Sequence, residues 1–308
     1  MPPELVVQAL ETFGVRLIDA PAPTDAQSGA EVYRVQTASG QLAYLKVTAA
    51  ALGSEALATA KRELRFYRQL APSVPIRTPP LLTALNSDLG MALLLGDAGE
   101  QRPVERWLSH DWEAVGRALA GLHTLPPPAG AWIRPDGLWT ELEDPDLDGI
   151  RAFWAAELPA LETLLARTKA LVARLGAQPP VFVHGDCHAG NIVFAADGGP
   201  VLCDWQSAGV GRAPSDLAFL GVRAAPTGIQ VPAVMLEAYL DQRRGLDPAF
   251  DHTGFATAVA WEELAVLVFE WPPYATYNNA LGNGRVHRRA QELADRLDLT
   301  GVDVKDAR

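Results

Sequence analysis

The sequence predicts an α+β fold with two lobes, a small lobe rich in strands followed by a larger lobe that is mostly helical. Residues 31–47 alternate apolar and polar residues around a short turn, which is typical of a β-hairpin. Helical spacing of apolar residues dominates after residue 104, and further strands are expected only over 181–205. The sequence Gly-Asp-Ala-Gly at 96–99 separates the two patterns. We therefore place one lobe at residues 1–97 and the other at 98–308.

Composition restricts the class of protein. The chain has 308 residues, 48% of them hydrophobic, and a formal net charge of −11. It is therefore globular, and its acidic surface disfavours nucleic acid and anionic membranes while it tolerates cationic ligands. The first residues lack a signal-peptide pattern, and no apolar run is long enough to span a bilayer. Only Cys187 and Cys203 are present, so we expect a cytoplasmic protein without disulfides.

The small lobe can be predicted element by element. EVYRVQTASGQLAYLKV forms two strands around Thr-Ala-Ser-Gly, because its apolar residues alternate. SEALATAKRELRFYRQL follows as a helix, with Leu57, Ala60, Leu64 and Tyr67 at helical spacing, and the proline-rich PSVPIRTPP ends it. The apolar run MALLL is a further strand. The lobe is thus expected to be a small antiparallel sheet with one main helix.

Lys46 occupies an unusual position in this hairpin. The chain has only four lysines, and Lys46 ends the apolar strand AYLKV. Burial of an ammonium group is costly unless it has a partner, so we expect a carboxylate on the following helix to pair with it. Glu63 is the favoured partner and Glu55 the competing one. A lysine that extends from the edge of the sheet into solvent is the alternative.

The most polar segment of the large lobe lies between two apolar runs. It reads VFVHGDCHAGNIVF over residues 181–194, and AADGGPVLCDWQ follows. Asp-Gly between apolar runs predicts a two-residue hairpin loop at Asp197 and Gly198, which would place Asn191 opposite Asp204. Oxygen ligands side by side suit Mg²⁺. Asp186 lies on the preceding loop and can face the same space.

Other interpretations of this segment compete with a magnesium site. Zinc is the first, but two of its four possible ligands are adjacent and one lies within a strand. A Cys–His nucleophile pair is the second, and it lacks a third group that would orient it. A purely structural turn accounts for His184, but not for three oxygen-bearing side chains that converge on one hairpin. The possible zinc ligands are His184, Cys187, His188 and Cys203.

The spacing His184-Gly185-Asp186, then Asn191, then Asp204-Trp205 resembles the aminoglycoside phosphotransferase and choline kinase superfamily. GVGRAPSDLAFL resembles the segment that follows the metal-binding aspartate in that family. QSGAEVYRV and AYLKV resemble its phosphate loop and lysine strand. The resemblance covers nearly the whole chain. It implies a two-lobed protein-kinase-like fold and transfer of the γ-phosphate of ATP, with Mg²⁺, to a hydroxyl group of a small molecule.

The resemblance also implies roles for individual residues. Asp186 would be the catalytic base, and Asn191 and Asp204 would be ligands of Mg²⁺. His184 and Asp216 would support the loop structurally. The residues expected to hold ATP are Lys46 with Glu63 at the phosphates, Ser28 and Gly29 above the phosphates, and the backbone of Gly96 and Ala98 at adenine.

The acceptor is less well defined, because the superfamily phosphorylates aminoglycosides, choline, macrolides, homoserine and sugars. WEELAVLVFEWPPYATY at 261–277 places carboxylates beside aromatic residues, an arrangement that can bind an amine or a quaternary ammonium. An ordinary core stripe of Trp261, Leu264 and Val268 with solvated glutamates is the favoured alternative. The candidate acceptor contacts are Glu262, Glu263, Glu270, Trp271 and Tyr274.

Two functions from different classes fit these observations. The first is a small-molecule kinase, and the second is a nucleotide-binding pseudo-kinase with a regulatory or scaffolding role. The presence of Lys46 and Asp186 favours catalysis, since a pure binding module does not need a positioned base. A protein-serine kinase is disfavoured, because its H-R-D, D-F-G and A-P-E segments are not found in the sequence.

Overall fold

The computed structural model describes residues 3–19, 29–128, 130, 132–134 and 136–299. These residues form two compact units. The first unit comprises Met1–Gln101 together with Asn191–Ala208, and the second comprises Arg102–Gly190 together with Gly209–Arg308. Each unit is therefore built from two stretches of chain. The lobe boundary expected between residues 97 and 98 stays a prediction.

A five-stranded antiparallel sheet and two helices make up most of the first unit. The predicted hairpin is confirmed, since Gln36 faces Leu42 across its turn. The apolar run MALLL forms the next strand, which is buried along its whole length. The strands, in the spatial order β1-β2-β3-β5-β4, are β1 (Arg16–Leu17), β2 (Glu31–Gln36), β3 (Leu42–Ala49), β4 (Leu81–Ser87) and β5 (Gly90–Gly96). The helices are α1 (Glu4–Phe13) and α2 (Ser54–Gln69).

The helices explain why Lys46 is buried. Leu5 and Ala9 of α1, which the sequence reasoning did not predict as a helix, pack in one apolar cluster with Leu45 and Val47 of β3. Side chains alternate along a strand, so Lys46 points to the opposite face of the sheet. Helix α2, which was predicted, contacts β3 and supplies the carboxylate that Lys46 meets.

A second, three-stranded sheet in the first unit carries the segment around Asp204. Its strands, in the order β6-β8-β9, are β6 (Glu100–Gln101), β8 (Ile192–Phe194) and β9 (Pro200–Leu202).

The predicted register of its β8–β9 hairpin is wrong by one residue. Ile192 faces Leu202, and the carbonyl of Asn191 accepts from the N–H of Cys203 (2.8 Å), so Asn191 is not opposite Asp204. Gly198 has a φ of 81°, and this left-handed residue gives the turn one more residue than the two that were predicted.

The second unit is mostly helical, as predicted. The helical region expected near 150–175 is divided into three helices, and Pro159 lies at the first interruption, where it cannot donate to a helical ladder. Strands β7 (Pro180–Val183) and β10 (Gly209–Arg212) pair antiparallel. The helices are α3 (Ser109–Leu122), α4 (Gly137–Glu143), α5 (Leu147–Trp154), α6 (Leu161–Ala166), α7 (Thr168–Gly176), α8 (Ala213–Ala224), α9 (Ala233–Leu246), α10 (Phe255–Ala265) and α11 (Ala280–Arg296).

The core of the second unit includes the predicted stripe, which lies on α10 and on the turn that follows it. Leu264 and Val268 are buried in it, and Trp261 packs against it. Helix α10 continues into one π-helical turn over Val266–Glu270, where the N–H of Trp271 donates to the carbonyl of Val266 (3.1 Å). Such turns are often found at functional sites. Within the described part of the chain, every helix is too short or too polar to cross a bilayer.

Candidate active site

Lys46 lies between two carboxylates of the first unit. Its Nζ atom is 2.7 Å from Oε2 of Glu63 and 2.7 Å from Oδ1 of Asp204. The side chains of Lys46 and Glu63 are buried, whereas 25% of the Asp204 side chain is exposed. The predicted ion pair between Lys46 and Glu63 is therefore confirmed, and Asp204 joins it.

The electrostatics of this cluster favour a charged lysine. Burial penalises the ammonium group, but the attraction of Glu63 and Asp204 outweighs it, so the pKa of Lys46 lies above its ordinary value. Burial likewise raises the pKa of Glu63, and the charge of Lys46 opposes that rise. With all three groups ionised, one cation faces two carboxylates, which leaves the cluster negative. Such a cluster can accept a further cation at its exposed member, Asp204.

The backbone and the next residue fix the position of Asp204. Asp204 has a φ of 62°, a left-handed conformation that aspartate tolerates better than most residues. The ring of Trp205 stacks on Phe66 of α2, with centroids 3.8 Å apart and planes 7° apart. Its indole N–H donates to the carbonyl of Leu202 (2.9 Å). Phe66 follows Glu63 by three residues on α2, so one helix positions both the lysine's partner and the Asp-Trp sequence.

The other described residues that were predicted to hold ATP or Mg²⁺ are also in the first unit. Ser28 lies outside the described residues. Gly29 precedes β2 and has a φ of 65°, which glycine adopts without strain. Gly96 ends β5, and Ala98 lies half-buried in the connection to β6. Asn191 directly precedes β8. The roles of these residues stay predictions.

Asp186 lies on the loop that follows β7 in the second unit. Its backbone N–H donates to Nδ1 of His184 (3.3 Å), which is the bracing contact expected of that histidine. Gly185, between them, has a φ of 82° and so permits the sharp turn. The Asp186 side chain is 28% exposed, and its Oδ1 is 3.8 Å from Nε2 of His188. The loop therefore presents a carboxylate to solvent on a backbone that is locally fixed.

Asp216, in the first turn of α8, holds the loop after β7 in place through hydrogen bonds. Its buried carboxylate accepts from the backbone N–H groups of His184 and Gly185, both at 2.8 Å. It also lies 3.1 Å from Nε2 of His123, whose Nδ1 is 2.9 Å from the hydroxyl of Tyr239. Burial alone would raise the pKa of Asp216, but His123 and the backbone donor hold it below its ordinary value. His123 and Tyr239 were not predicted, because neither is near the loop in sequence.

A cavity of about 100 Å³ lies beside this loop, entirely within the second unit. One residue of the loop itself lines it, together with six charged side chains from five other segments. These lining residues are Gly185, and Arg134, Asp136, Arg212, Asp216, Glu262 and Glu270.

Ion pairs around Arg212 hold the wall of this cavity. Arg212 Nη1 is 2.8 Å from Oδ2 of Asp136, and Nη2 is 2.6 Å from Oε1 of Glu262. The guanidinium carbon lies 4.4 Å from the centre of the Trp139 ring. Burial disfavours the charged guanidinium, but the two carboxylates outweigh it and raise the pKa of Arg212. Asp136 and Arg212 were not predicted as site residues, although Arg212 lies within the quoted stretch GVGRAPSDLAFL.

The five predicted acceptor contacts have different surroundings. The expectation of solvated glutamates is wrong for Glu262 and Glu263, since both are buried; Glu263 pairs with Arg289 at 2.6 and 2.7 Å. Their part in acceptor binding stays a prediction. Trp271 is buried, and Tyr274 is 37% exposed. Burial, with repulsion from neighbouring carboxylates, raises the pKa of Glu270 to about 7.

The zinc hypothesis finds no support in the described part of the chain. No group of three or more His, Cys, Asp or Glu residues there is arranged to hold a metal ion. Burial raises the pKa of the Cys203 thiol to about 12 and that of Cys187 well above its ordinary value, so neither thiol is poised to ionise.

A family model described as "Phosphotransferase enzyme family" matches residues 23–252, well over half of the chain. The chain belongs to this family. The predicted family and the predicted enzyme class, a phosphotransferase that acts on an alcohol group of a small molecule, are thereby confirmed. Comparison with curated protein sequences gave no significant match.

Solved structures of family enzymes share the fold. An amicoumacin kinase, hAmiN, has a TM-score of 0.64 at 16% identity over 98% of this chain and 96% of that chain. The macrolide 2′-phosphotransferase MphH from Brachybacterium faecium has a TM-score of 0.62 at 18% identity over 94% and 98%. A choline/ethanolamine kinase family protein from Mesorhizobium loti has a TM-score of 0.61 at 14% identity over 96% and 97%. The predicted protein-kinase-like α+β fold is confirmed.

Proposed function

We propose that this phosphotransferase moves the γ-phosphoryl group of Mg²⁺-ATP to a hydroxyl group of a small molecule, with Asp186 as the catalytic base. The observation that carries the proposal is the triad of Lys46, Glu63 and Asp204 in the first unit. A buried lysine held between two carboxylates, one of them partly exposed, has the charges that a nucleotide phosphate and its metal ion require.

In this proposal, residues of the first unit bind the nucleotide and its metal ion. Lys46 would contact the phosphates while Glu63 keeps its ammonium group in place. Asn191 and Asp204 would hold Mg²⁺, which neutralises phosphate charge in the transition state and suits their oxygen donors. Gly29 would approach the phosphates, and the backbone of Gly96 and Ala98 would meet adenine.

Structures with the same fold agree with these ligands. The amicoumacin kinase was solved with AMP-PNP and Ca²⁺. An aminoglycoside phosphotransferase from Streptomyces rimosus, 21% identical over 86% of this chain with a TM-score of 0.52, was solved with ADP and streptomycin. A nucleotide and a divalent cation are therefore the ligands that we propose for this chain.

In this proposal, the second unit supplies the base that acts on the hydroxyl group of the acceptor. The carboxylate of Asp186 would accept the proton of the acceptor hydroxyl as that oxygen bonds to the γ-phosphorus and the bond to the ADP oxygen breaks. Asp216 and His184 hold the backbone on both sides of Gly185, which limits the movement of Asp186. Because a loose phosphoryl transition state needs little covalent help, this positioning is the main contribution of the loop.

Coupled ADP release with Mg²⁺-ATP, measured against aminoglycosides, choline, amino sugars, homoserine and macrolides, tests the proposal. Asp186→Asn should lower kcat about 10²- to 10⁴-fold, the range typical of a lost general base, while ATP binding is retained. Asp88→Asn, at an exposed turn in the first unit, is the control and should leave kcat unchanged. Absence of ATP binding in the wild-type protein would refute the proposal. ATP binding without turnover of any acceptor would favour the pseudo-kinase.

A further inference from the structure

The hydroxyl group of Tyr67 is buried near the cluster of Lys46, Glu63 and Asp204 in the first unit. Only 4% of Tyr67 is exposed, and its hydroxyl makes no hydrogen bond with any residue that the structure describes. Buried polar groups are nearly always hydrogen-bonded, because an unmade bond costs free energy. A buried hydroxyl of this kind beside a functional cluster therefore requires an explanation.

Helical geometry directs Tyr67 toward Glu63. The two residues are four positions apart on α2, so their side chains lie on one face of the helix. Long side chains in a helix point toward its amino terminus and cover the residue one turn earlier. The ring of Tyr67 also meets that of Phe66 edge to face, with centroids 5.6 Å apart. Glu63 is therefore the acceptor that the geometry of α2 favours for the Tyr67 hydroxyl.

The electrostatics of the cluster agree with this orientation. Burial raises the pKa of the Tyr67 hydroxyl well above its ordinary value, and the charges of Glu63 and Asp204 add to that rise. The hydroxyl is therefore protonated at neutral pH. It is a neutral O–H donor that lies within the field of two carboxylates.

Nucleotide binding would change the contacts of Glu63. In this structure the Nζ atom of Lys46 is 2.7 Å from Glu63 and 2.7 Å from Asp204. In the proposed complex Lys46 also contacts the phosphates, and Asp204 becomes a ligand of Mg²⁺. Glu63 would then share the charge of Lys46 with the phosphates. A buried carboxylate with less compensation favours a further donor, and a hydrogen bond to an ionised acceptor is a strong one.

We propose that Tyr67 is a positioning residue for the nucleotide: when Mg²⁺-ATP binds, its hydroxyl donates to Glu63 and so keeps the pair of Glu63 and Lys46 at the phosphates. The inference rests on the proposed function, because it assumes that Lys46 binds the phosphates. Tyr67 acts through Glu63 and takes no part in the transfer of the phosphoryl group.

The inference predicts two effects of opposite sign for Tyr67→Phe. Without nucleotide, the variant lacks a buried hydroxyl that has no partner among the described residues, so its melting temperature should rise by about 2–4 °C. With nucleotide, the variant lacks a hydrogen bond to a charged group, so the Kd for Mg²⁺-AMP-PNP should rise about 10- to 100-fold. A tyrosine that only fills space would change stability and affinity in the same direction.

Scanning calorimetry without nucleotide and titration calorimetry with Mg²⁺-AMP-PNP measure the two effects on the full chain. Tyr33→Phe is the matched control for stability. Tyr33 is also buried, but its hydroxyl donates to Glu31, so this variant should have a lower melting temperature than wild type. Tyr277→Phe, at an exposed position of the second unit, should change neither the melting temperature nor the Kd.

Two results would overturn the inference alone: a Tyr67→Phe variant that binds Mg²⁺-AMP-PNP as tightly as wild type, or one that is no more stable than wild type without nucleotide. The first would show that Tyr67 does not support the bound state, and the second that its hydroxyl is already satisfied. No binding of Mg²⁺-AMP-PNP by the wild-type protein would overturn both the inference and the proposed function. Both predicted effects without ADP release from any acceptor would support the inference and refute only the phosphoryl transfer.

Discussion

The two units treat a buried charge in opposite ways. In the first unit, Lys46 is buried between Glu63 and Asp204, and each charge has a partner of opposite sign. In the second unit, the carboxylate of Glu270 is partly buried, and it has no hydrogen bond or ion pair with a residue that the structure describes; its charged neighbours are mostly carboxylates. Burial disfavours the charged form of both groups. The presence of an oppositely charged partner therefore decides whether the charge stabilises the folded protein. A buried charge with a partner of opposite sign contributes to the stability of the fold. A buried charge without such a partner lowers stability unless a ligand of opposite charge binds.

The same contrast holds within the second unit. Burial pushes the pKa values of Asp216 and Glu270 upward, yet that of Asp216 is lowered and that of Glu270 is raised. Asp216 receives two backbone N–H groups and lies beside His123, while Glu270 receives none of these. Hydrogen bonding to the charged form therefore accounts for the difference.

Removal of Lys46 should give the largest effect on stability. Lys46→Met leaves Glu63 buried without a cation, and the loss of one partner of a buried pair typically costs about 3–5 kcal/mol of unfolding free energy. Urea unfolding at pH 7 measures this. Lys61→Met, at an exposed position on α2, is the matched control and should change the unfolding free energy by less than about 0.5 kcal/mol. Equal stability of the two variants would show that the cluster does not hold the first unit together.

Replacement of Glu270 should increase stability. The folded-state pKa of Glu270, about 7, lies above its ordinary value of 4.5, so ionisation on going to higher pH destabilises the folded protein. Glu270→Gln removes that cost. The variant should therefore be more stable than wild type at pH 8, by up to about 3 kcal/mol, with most of the gain lost at pH 5.

Unfolding by urea at both pH values measures the gain from Glu270→Gln, with Glu143→Gln as the control that should show none. A variant that is less stable than wild type at pH 8 would mean that Glu270 is part of the structure.

Replacement of Asp216 should have a smaller effect of opposite sign. Its folded-state pKa is below the ordinary value of 3.8, so its carboxylate stabilises the protein above that pH, and the stabilisation is lost as the pH falls below it. Asp216→Asn keeps one acceptor oxygen but loses the charge, and it should cost about 2 kcal/mol at pH 7.

Stability measured from pH 7 to pH 3 checks this: the difference between Asp216→Asn and wild type should shrink as the pH falls below 3.8. A difference that stays constant with pH would point to altered packing instead of a lost charge.

Sequence reasoning was most successful where function depends on neighbours in sequence. The hairpin that carries Lys46, helix α2 with Glu63, and the loop from His184 to Asp186 were all predicted. Each is encoded by alternation, helical spacing or a short motif within one continuous stretch of the chain. The β8–β9 hairpin shows the limit of such reasoning. Asp-Gly at its turn predicted a two-residue loop, and one left-handed residue, Gly198, shifted the register.

By itself, the sequence determined the α+β class, the order of most elements and the polar residues of the motifs, because periodicity and motif spacing are local properties. Only the tertiary structure decided which carboxylates form an ion pair with an arginine. Glu262, Glu263 and Glu270 lie within nine residues of one another and look equivalent in sequence. Arg212 pairs with the first and Arg289 with the second, while Glu270 makes no ion pair with any residue that the structure describes. Partners that are distant in the chain are brought together only by packing. Burial then makes the difference in free energy between a charge with an oppositely charged partner and a charge without one large.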